Sequence, residues 1–170
     1  MTVTVDDFRT VMRQWITGVT IVTAYSPAMG RARGNTVNSF TSVSFNPLLV
    51  SICLTKSTET AQAVLDAQAF GISILSAEQE ILSMRFAGMD SNFPADLDRF
   101  TGVPTQTAVT QSPLLTEALA WLDCKIWAIY DGSTHHIIVG EVVATSLNQS
   151  PPHEPLLYYN RAYRRLMPPD

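Results

Sequence analysis

A mainly β fold with accessory helices, built as a mostly antiparallel barrel, is the class this sequence predicts. Its strand-like segments come in clusters joined by turns, without the regular strand-helix alternation that builds a parallel sheet. No G-x-G-x-x-G follows any strand, which speaks against a Rossmann domain. The 170 residues contain no long Pro/Gly/Ser linker and suit one compact domain spanning residues 1–170.

Taken in order, Thr4 to Asp7 can cap a helix in which Phe8, Val11, Met12 and Trp15 recur at helical spacing, with Gly18 ending it. Val19 to Tyr25 is rich in β-branched residues. Ser26 to Gly34 carries Pro27, Gly30 and Gly34, and Asn35 to Phe45 reads as extended, so this region is a hairpin with a long turn. After the Asn46-Pro47 break, Leu48 to Thr55 is a nearly continuous apolar run suited to a central strand. That strand feeds a helix over Ser57 to Gln68, marked by Ala61, Val64 and Leu65.

Phe70 to Leu75 is the next strand. Ser76 to Gln79 is a capping box opening a helix that continues to about Ala87 through Ile81, Leu82, Arg85 and Phe86. Met89 to Pro113 reads as loop. Ala118 to Tyr130 and His135 to Leu147 flank Asp131 to Thr134 as a long hairpin, and Leu156 to Tyr159 adds a last strand. The total is six or seven strands and three helices, with no internal repeat.

Charged residues make up 15% of the chain, against roughly 25% in an average soluble domain. Either neutral polar residues cover the surface or an oligomer interface buries much of one face. The net charge is −4, and the basic residues are scattered apart from Arg31 with Arg33 and the Arg161, Arg164, Arg165 group, so no nucleic-acid footprint is read. No apolar run approaches the ~18 residues of a membrane span, and the start carries Asp6 and Asp7 where a signal peptide carries cations; a cytoplasmic location is expected. Cys53 and Cys124 sit in apolar strand-like runs with no partner at metal-ligand spacing, which points to buried free thiols.

Asn35 to Phe45 is the most informative segment. Thr36, Asn38, Ser42 and Ser44 lie on one face while Ser39 and Thr41 interrupt the other, so neither face is cleanly apolar. A solvent-facing edge strand explains this; so does a polar ligand lying along the strand. Ser57 to Thr60 places hydroxyls at the N-cap and N3 positions of a helix, where they either cap the helix or help its free N–H groups hold a phosphate. His135 and His136 open a strand and point to opposite faces, so at most one serves a site. His135, His136 and His153 lack carboxylate or thiolate companions at ligand spacing, so no metal is expected. The absence of a G-x-S-x-G elbow argues against a serine hydrolase.

Thr17-Gly-Val-Thr-Ile-Val-Thr23, Thr36-Val-Asn-Ser-Phe-Thr-Ser-Val-Ser44, Phe45-Asn-Pro-Leu-Leu-Val50 and Ser83-Met-Arg-Phe-Ala87 together resemble the flavin-reductase-like family of FMN-binding split barrels. The resemblance continues through Pro113-Leu-Leu115, Ala118 to Cys124, His135 to Val142, and Pro155 to Tyr159 with Tyr163. Within the family the chain looks similar to the small reductase components of two-component aromatic monooxygenases. The resemblance implies a six-stranded antiparallel split β-barrel, a homodimer, and hydride transfer from NADH or NADPH to FMN or FAD. It further implies that reduced flavin diffuses to a transient monooxygenase partner. By position it assigns Thr36, Val37, Asn38, Ser39 and Ser42 to the isoalloxazine, and Cys53, Leu54 and Thr55 to its edge through backbone groups. Ser57 and Thr60 would meet the phosphate, Arg85 and Phe86 the ribityl-phosphate side, Tyr158 the mouth, and His135 the nicotinamide or the flavin edge. The sequence departs from the family's Gly-Asp-His by reading Gly132-Ser-Thr-His135, which leaves His136 a rival. A flavoredoxin-type electron carrier and a non-catalytic ligand-binding barrel are the alternative functions.

Overall fold

The computed structural model describes residues 2–150 and 154–166; His153 lies outside them. In chain order the elements are α1 (Val5–Met12), β1 (Thr17–Gly18), β2 (Thr20–Ser26), β3 (Arg31–Val37), β4 (Thr41–Phe45), β5 (Leu48–Thr55), α2 (Glu59–Ala67) and β6 (Ala69–Ile74). They continue with a 3-10 turn (Ala77–Gln79), α3 (Glu80–Ala87), β7 (Thr105–Gln106), β8 (Leu114–Leu115), β9 (Ala120–Gly132), β10 (His135–Leu147), β11 (Leu157–Tyr159) and β12 (Ala162–Arg164). Seven strands form one sheet in the order β3-β2-β6-β9-β10-β5-β4, antiparallel throughout. β1, β11 and β12 form a second small sheet, and β7 pairs with β8.

The expected six-stranded barrel is thus a seven-stranded sheet whose edge strands, β3 and β4, do not pair with each other. Asn38 to Phe40 joins the two edges, and at ~3.5 Å per residue Val37 and Thr41 lie no more than about 14 Å apart. The sheet is therefore rolled but open. The extra strand arises where the expected single segment Asn35 to Phe45 breaks. Ser39 Oγ accepts from the Cys53 N–H at 2.9 Å and lies 3.1 Å from the Cys53 carbonyl as donor, so a side chain stands in for the ladder, while Phe40 packs against the core.

The first hairpin is also tighter than its composition suggests. Its turn is only Pro27 to Gly30, with Gly30 at φ +63°, and β3 begins at Arg31. Asp66 on α2 fastens this turn, accepting from Ser26 Oγ at 2.6 Å and from the Ala28 N–H at 2.9 Å, bonds that hold its carboxyl below the usual range. At the start of the chain, Thr4 caps α1 as expected, but the helix stops at Met12, well before Gly18. Bonds from Gln14 N to Val11 O and from Trp15 N to Met12 O tighten its end, and Gly18 pairs with Leu157 in β1. No residue of α1 is buried.

The core lies inside the roll. Val50, Ile52 and Leu54 of β5 alternate inward against Val22, Phe70, Ile72 and Ile138, with Ala61, Ala63 and Val64 of α2 closing one side. A second cluster of Ile21, Leu75, Phe86, Leu115 and Leu156 packs beneath α3. Between β9 and the loop before β8, the fully buried Asp123 accepts from the N–H groups of Val109 at 2.7 Å and Thr110 at 2.8 Å, and from the Thr110 hydroxyl.

Burial, and then the neighbouring Asp123 carboxylate, push the Cys124 thiol from an ordinary value near 9 up to about 12. A thiol reagent at about pH 8 should therefore spare Cys124 in the native protein and reach it only after unfolding. Because the unfolded thiol ionises first, stability should decline as pH rises from about 9 toward 12. Reaction of both cysteines in the native state would contradict this burial.

Candidate functional site

The alternation that sends Ile52 and Leu54 inward sends Ser51, Cys53 and Thr55 to the opposite face of β5, where they are half-buried. The β5–β10 register places His135 opposite Thr55, Ile137 opposite Cys53 and Val139 opposite Ser51. His135 therefore shares the Cys53–Thr55 face. His136 pairs with Leu54 and shares its side with the buried Ile138, so of the two imidazoles only that of His135 lies on the Cys53–Thr55 face.

The His135 ring lies between two hydroxyls, with Nε2 3.0 Å from Thr55 Oγ1 and Nδ1 2.9 Å from Thr134 Oγ1. Each hydroxyl can donate or accept, so either imidazole tautomer is satisfied. The turn supporting the ring is itself fastened. Lys56 N donates to Thr134 O at 3.1 Å, Lys56 Nζ to Asp131 Oδ1 at 2.6 Å, and Ser133 N to the same oxygen at 2.9 Å. The bond from Lys56, then that from Ser133, keeps the Asp131 carboxyl below the usual range.

Asn38 and Tyr158 line a cleft of about 630 Å³ together with Phe8 and Met12 of α1 and Trp15 just after it. Tyr158 packs edge-on against Tyr163, with centroids 5.5 Å apart, and the Tyr163 hydroxyl bonds Ser83 Oγ at 2.8 Å. Burial pushes the Tyr163 phenol up, which keeps it a neutral hydrogen-bonding partner.

A second cleft, also about 630 Å³, opens between β3, the start of α2 and residues 95–100. Thr60 lines it, together with Arg31, Arg33, Asn35, Thr58 and Arg99, none of which the resemblance assigned. The adjacent cations Arg31 and Arg33 were visible in the sequence, but the segment reads there as a turn. As alternate residues of a strand they point the same way.

Several expected site residues are committed elsewhere. Phe86 is fully buried, its ring edge-on to Phe100 at 5.0 Å, and Leu54 is core, as is Val37, whose carbonyl accepts from Thr20 Oγ1. Thr36 Oγ1 donates to the Ser83 carbonyl at 2.7 Å, tying β3 to α3. Arg85 turns to the following loop, donating to Thr101 O at 3.2 Å with its guanidinium 4.2 Å from the Phe93 ring centroid. Ser57 is exposed and is not the cap of α2. Thr58 is, because a turn closed from Thr58 N to Thr55 O sets its hydroxyl to accept from the Ala61 N–H at 3.1 Å. Thr60 is 4% exposed, Ser42 lies exposed on β4, and the Cys53 backbone is held by Ser39. Among the described residues no group of three or more His, Cys, Asp or Glu could hold a metal.

The donor set fits a flavin nucleotide. Neutral amide and hydroxyl groups beside apolar Ile137 suit an uncharged heteroaromatic ring, and the guanidiniums near α2 suit its phosphate. The fold and these regions define a β protein with a hydroxyl- and imidazole-bearing face and a guanidinium-lined cleft. Residues 12–167 match the flavin reductase like domain, and the chain belongs to that family. It is 36% identical over 161 residues to the NADH-dependent FAD reductase of Streptomyces globisporus, covering 94% of this chain and 85% of that one. It is 34% identical to the reductase subunit of a flavin-dependent monooxygenase of Rhodococcus jostii, covering 95% and 77% respectively. The Streptomyces globisporus NADH:FAD oxidoreductase, solved with NAD and FAD fragments, superposes with a TM-score of 0.83 at 34% identity, over 96% of this chain and 93% of that one.

Proposed function

We propose that this protein is an NAD(P)H:flavin oxidoreductase, transferring a hydride from NADH or NADPH to FMN or FAD. The observation that carries the reading is the hydrogen-bonded Thr55–His135 face beside the Ser39–Cys53 junction, in a chain whose relatives are named as flavin reductases. When bound, the flavin supplies the electron-accepting ring. The protein's residues bind and orient. Asn38, Ser39 and Ser42, with backbone groups of Thr36, Val37, Cys53, Leu54 and Thr55, border the ring, and Ser57 and Thr60 lie toward the phosphate at the start of α2. His135, held by two hydroxyls, places the nicotinamide, and Tyr158 borders the opening. Phe86 and Arg85 act from behind, by packing and by fastening the loop.

A homodimer is supported by large apolar side chains exposed on β4, β5, β9 and β10, among them Val43, Phe45, Leu48, Trp127 and Ile137. Light scattering should give twice the 18.7 kDa chain mass; a monomer at micromolar concentration would refute the pairing. The reductase works as one domain in the cytoplasm, where NAD(P)H is supplied, and passes reduced flavin by diffusion to a monooxygenase; the Rhodococcus relative is named as the reductase subunit of a flavin-dependent monooxygenase. No described helix is long and apolar enough to cross a membrane.

Anaerobic stopped-flow mixing of the flavin-loaded protein with NADH or NADPH should bleach the oxidised-flavin band and rank the two donors. Tight flavin binding without bleaching would instead identify an electron carrier, and no binding would favour a barrel without flavin chemistry.

A further inference from the structure

The second cleft already contains an anion. Glu59, the first residue of α2, reaches across to β3 and sets Oε1 3.1 Å from Arg31 Nη2 and Oε2 2.9 Å from Arg33 Nε. Asp98 Oδ2 approaches Arg33 Nη1 at 3.6 Å. The Arg33 side chain is only 14% exposed, yet its Nε has no well-aligned acceptor, whereas Glu59 is 63% exposed. A mostly buried guanidinium is therefore matched to a poorly aligned carboxylate that can swing into water. β3 is also the free edge of the main sheet, and Asn35 and Thr58 line the same cleft.

We propose that Arg31 and Arg33 form a seat for a nucleotide phosphate and that Glu59 is its internal occupant, displaced when the phosphate arrives. A phosphate monoester carries more charge than a carboxylate and presents three acceptor oxygens, so it matches two guanidiniums better. It also lies at the start of α2, where the helix dipole favours an anion. Glu59 neutralises Arg31 and, together with Asp98, Arg33, and by competing it weakens nucleotide binding. In a reductase that must release its reduced flavin, such competition speeds exchange. The identity of the nucleotide rests on the flavin-reductase reading; the seat itself does not.

The test titrates riboflavin, FMN, FAD, NADPH and AMP into the wild-type protein, Glu59→Gln, Arg33→Gln and Arg33→Lys, with circular dichroism reporting folding. Glu59→Gln should tighten the phosphate-bearing occupant by about 5- to 10-fold, roughly a 1 to 1.4 kcal/mol change, and leave riboflavin within about twofold. Arg33→Gln should weaken the same ligand by about tenfold, with partial recovery in Arg33→Lys. Whether FMN, FAD or NADPH responds identifies the source of the phosphate. Riboflavin shifting as much as FMN, or no ligand responding to Glu59→Gln, overturns the seat. AMP carries a phosphate without a flavin ring. If it responds while riboflavin and FMN fail to bind any form, the seat stands and the flavin-reductase reading falls. Tightening by Glu59→Gln is a gain that misfolding does not imitate.

Discussion

Phe70→Ala should lower the unfolding free energy by about 3 to 5 kcal/mol, the usual cost of emptying a buried aromatic site. Phe70 is fully buried on β6, and the space above β10 that its ring fills exists because residue 140 has no side chain. A Cβ added at Gly140 would overlap the Phe70 ring and stand 3.1 Å from Cys124 Cβ. Gly140→Ala should therefore destabilise by about 1 to 3 kcal/mol through overpacking. The two changes are coupled: in the Phe70→Ala background the added methyl enters a cavity, so the double variant should be more stable than the sum of the single losses predicts. Chemical denaturation of all four forms measures this coupling, and strict additivity would show that the ring and the glycine do not share the space. The spacing of five from His135 to Gly140 thus joins a proposed site residue to a packing residue on the same strand.

His135→Ala should raise the KM for NADH by about tenfold, equivalent to ~1.4 kcal/mol of binding, with flavin affinity within about twofold. The ring occupies the outer face of β10 and is held at both nitrogens by neutral hydroxyls, an arrangement suited to orienting a neutral nicotinamide. Thr55→Val removes one of those hydroxyls while preserving shape, and should give a smaller rise in KM with little change in kcat. A fall in kcat larger than the rise in KM would instead assign His135 to the chemical step. Ser57→Ala should leave the unfolding free energy nearly unchanged, because Ser57 is exposed and caps nothing, whereas Thr60→Ala acts on a residue that is nearly buried.

Periodicity located the long elements well. The apolar run from Leu48 to Thr55 is β5 with the same ends, and the late hairpin turns where Asp131 to Thr134 indicated, at Ser133 with φ +63°. β1, β7, β8 and β12, of two or three residues each, have no period to read and exist only because partners lie beside them. Arg31 to Gly34 looked like turn because Pro27, Gly30 and Gly34 punctuate the segment around it; pairing with β2 overrode that local preference.

The candidate site divides along the same line. The sequence by itself determined the family, the hydroxyl-rich segment and the histidine, because residue types and spacing are written along the chain. Tertiary structure decided that His135 rather than His136 faces Thr55, that Phe86 belongs to the core, that Thr58 caps α2, and that Glu59 meets Arg31 and Arg33. Each of these depends on cross-strand register or on contacts between distant segments. A one-residue difference there exchanges one face for the other, and no local pattern records it.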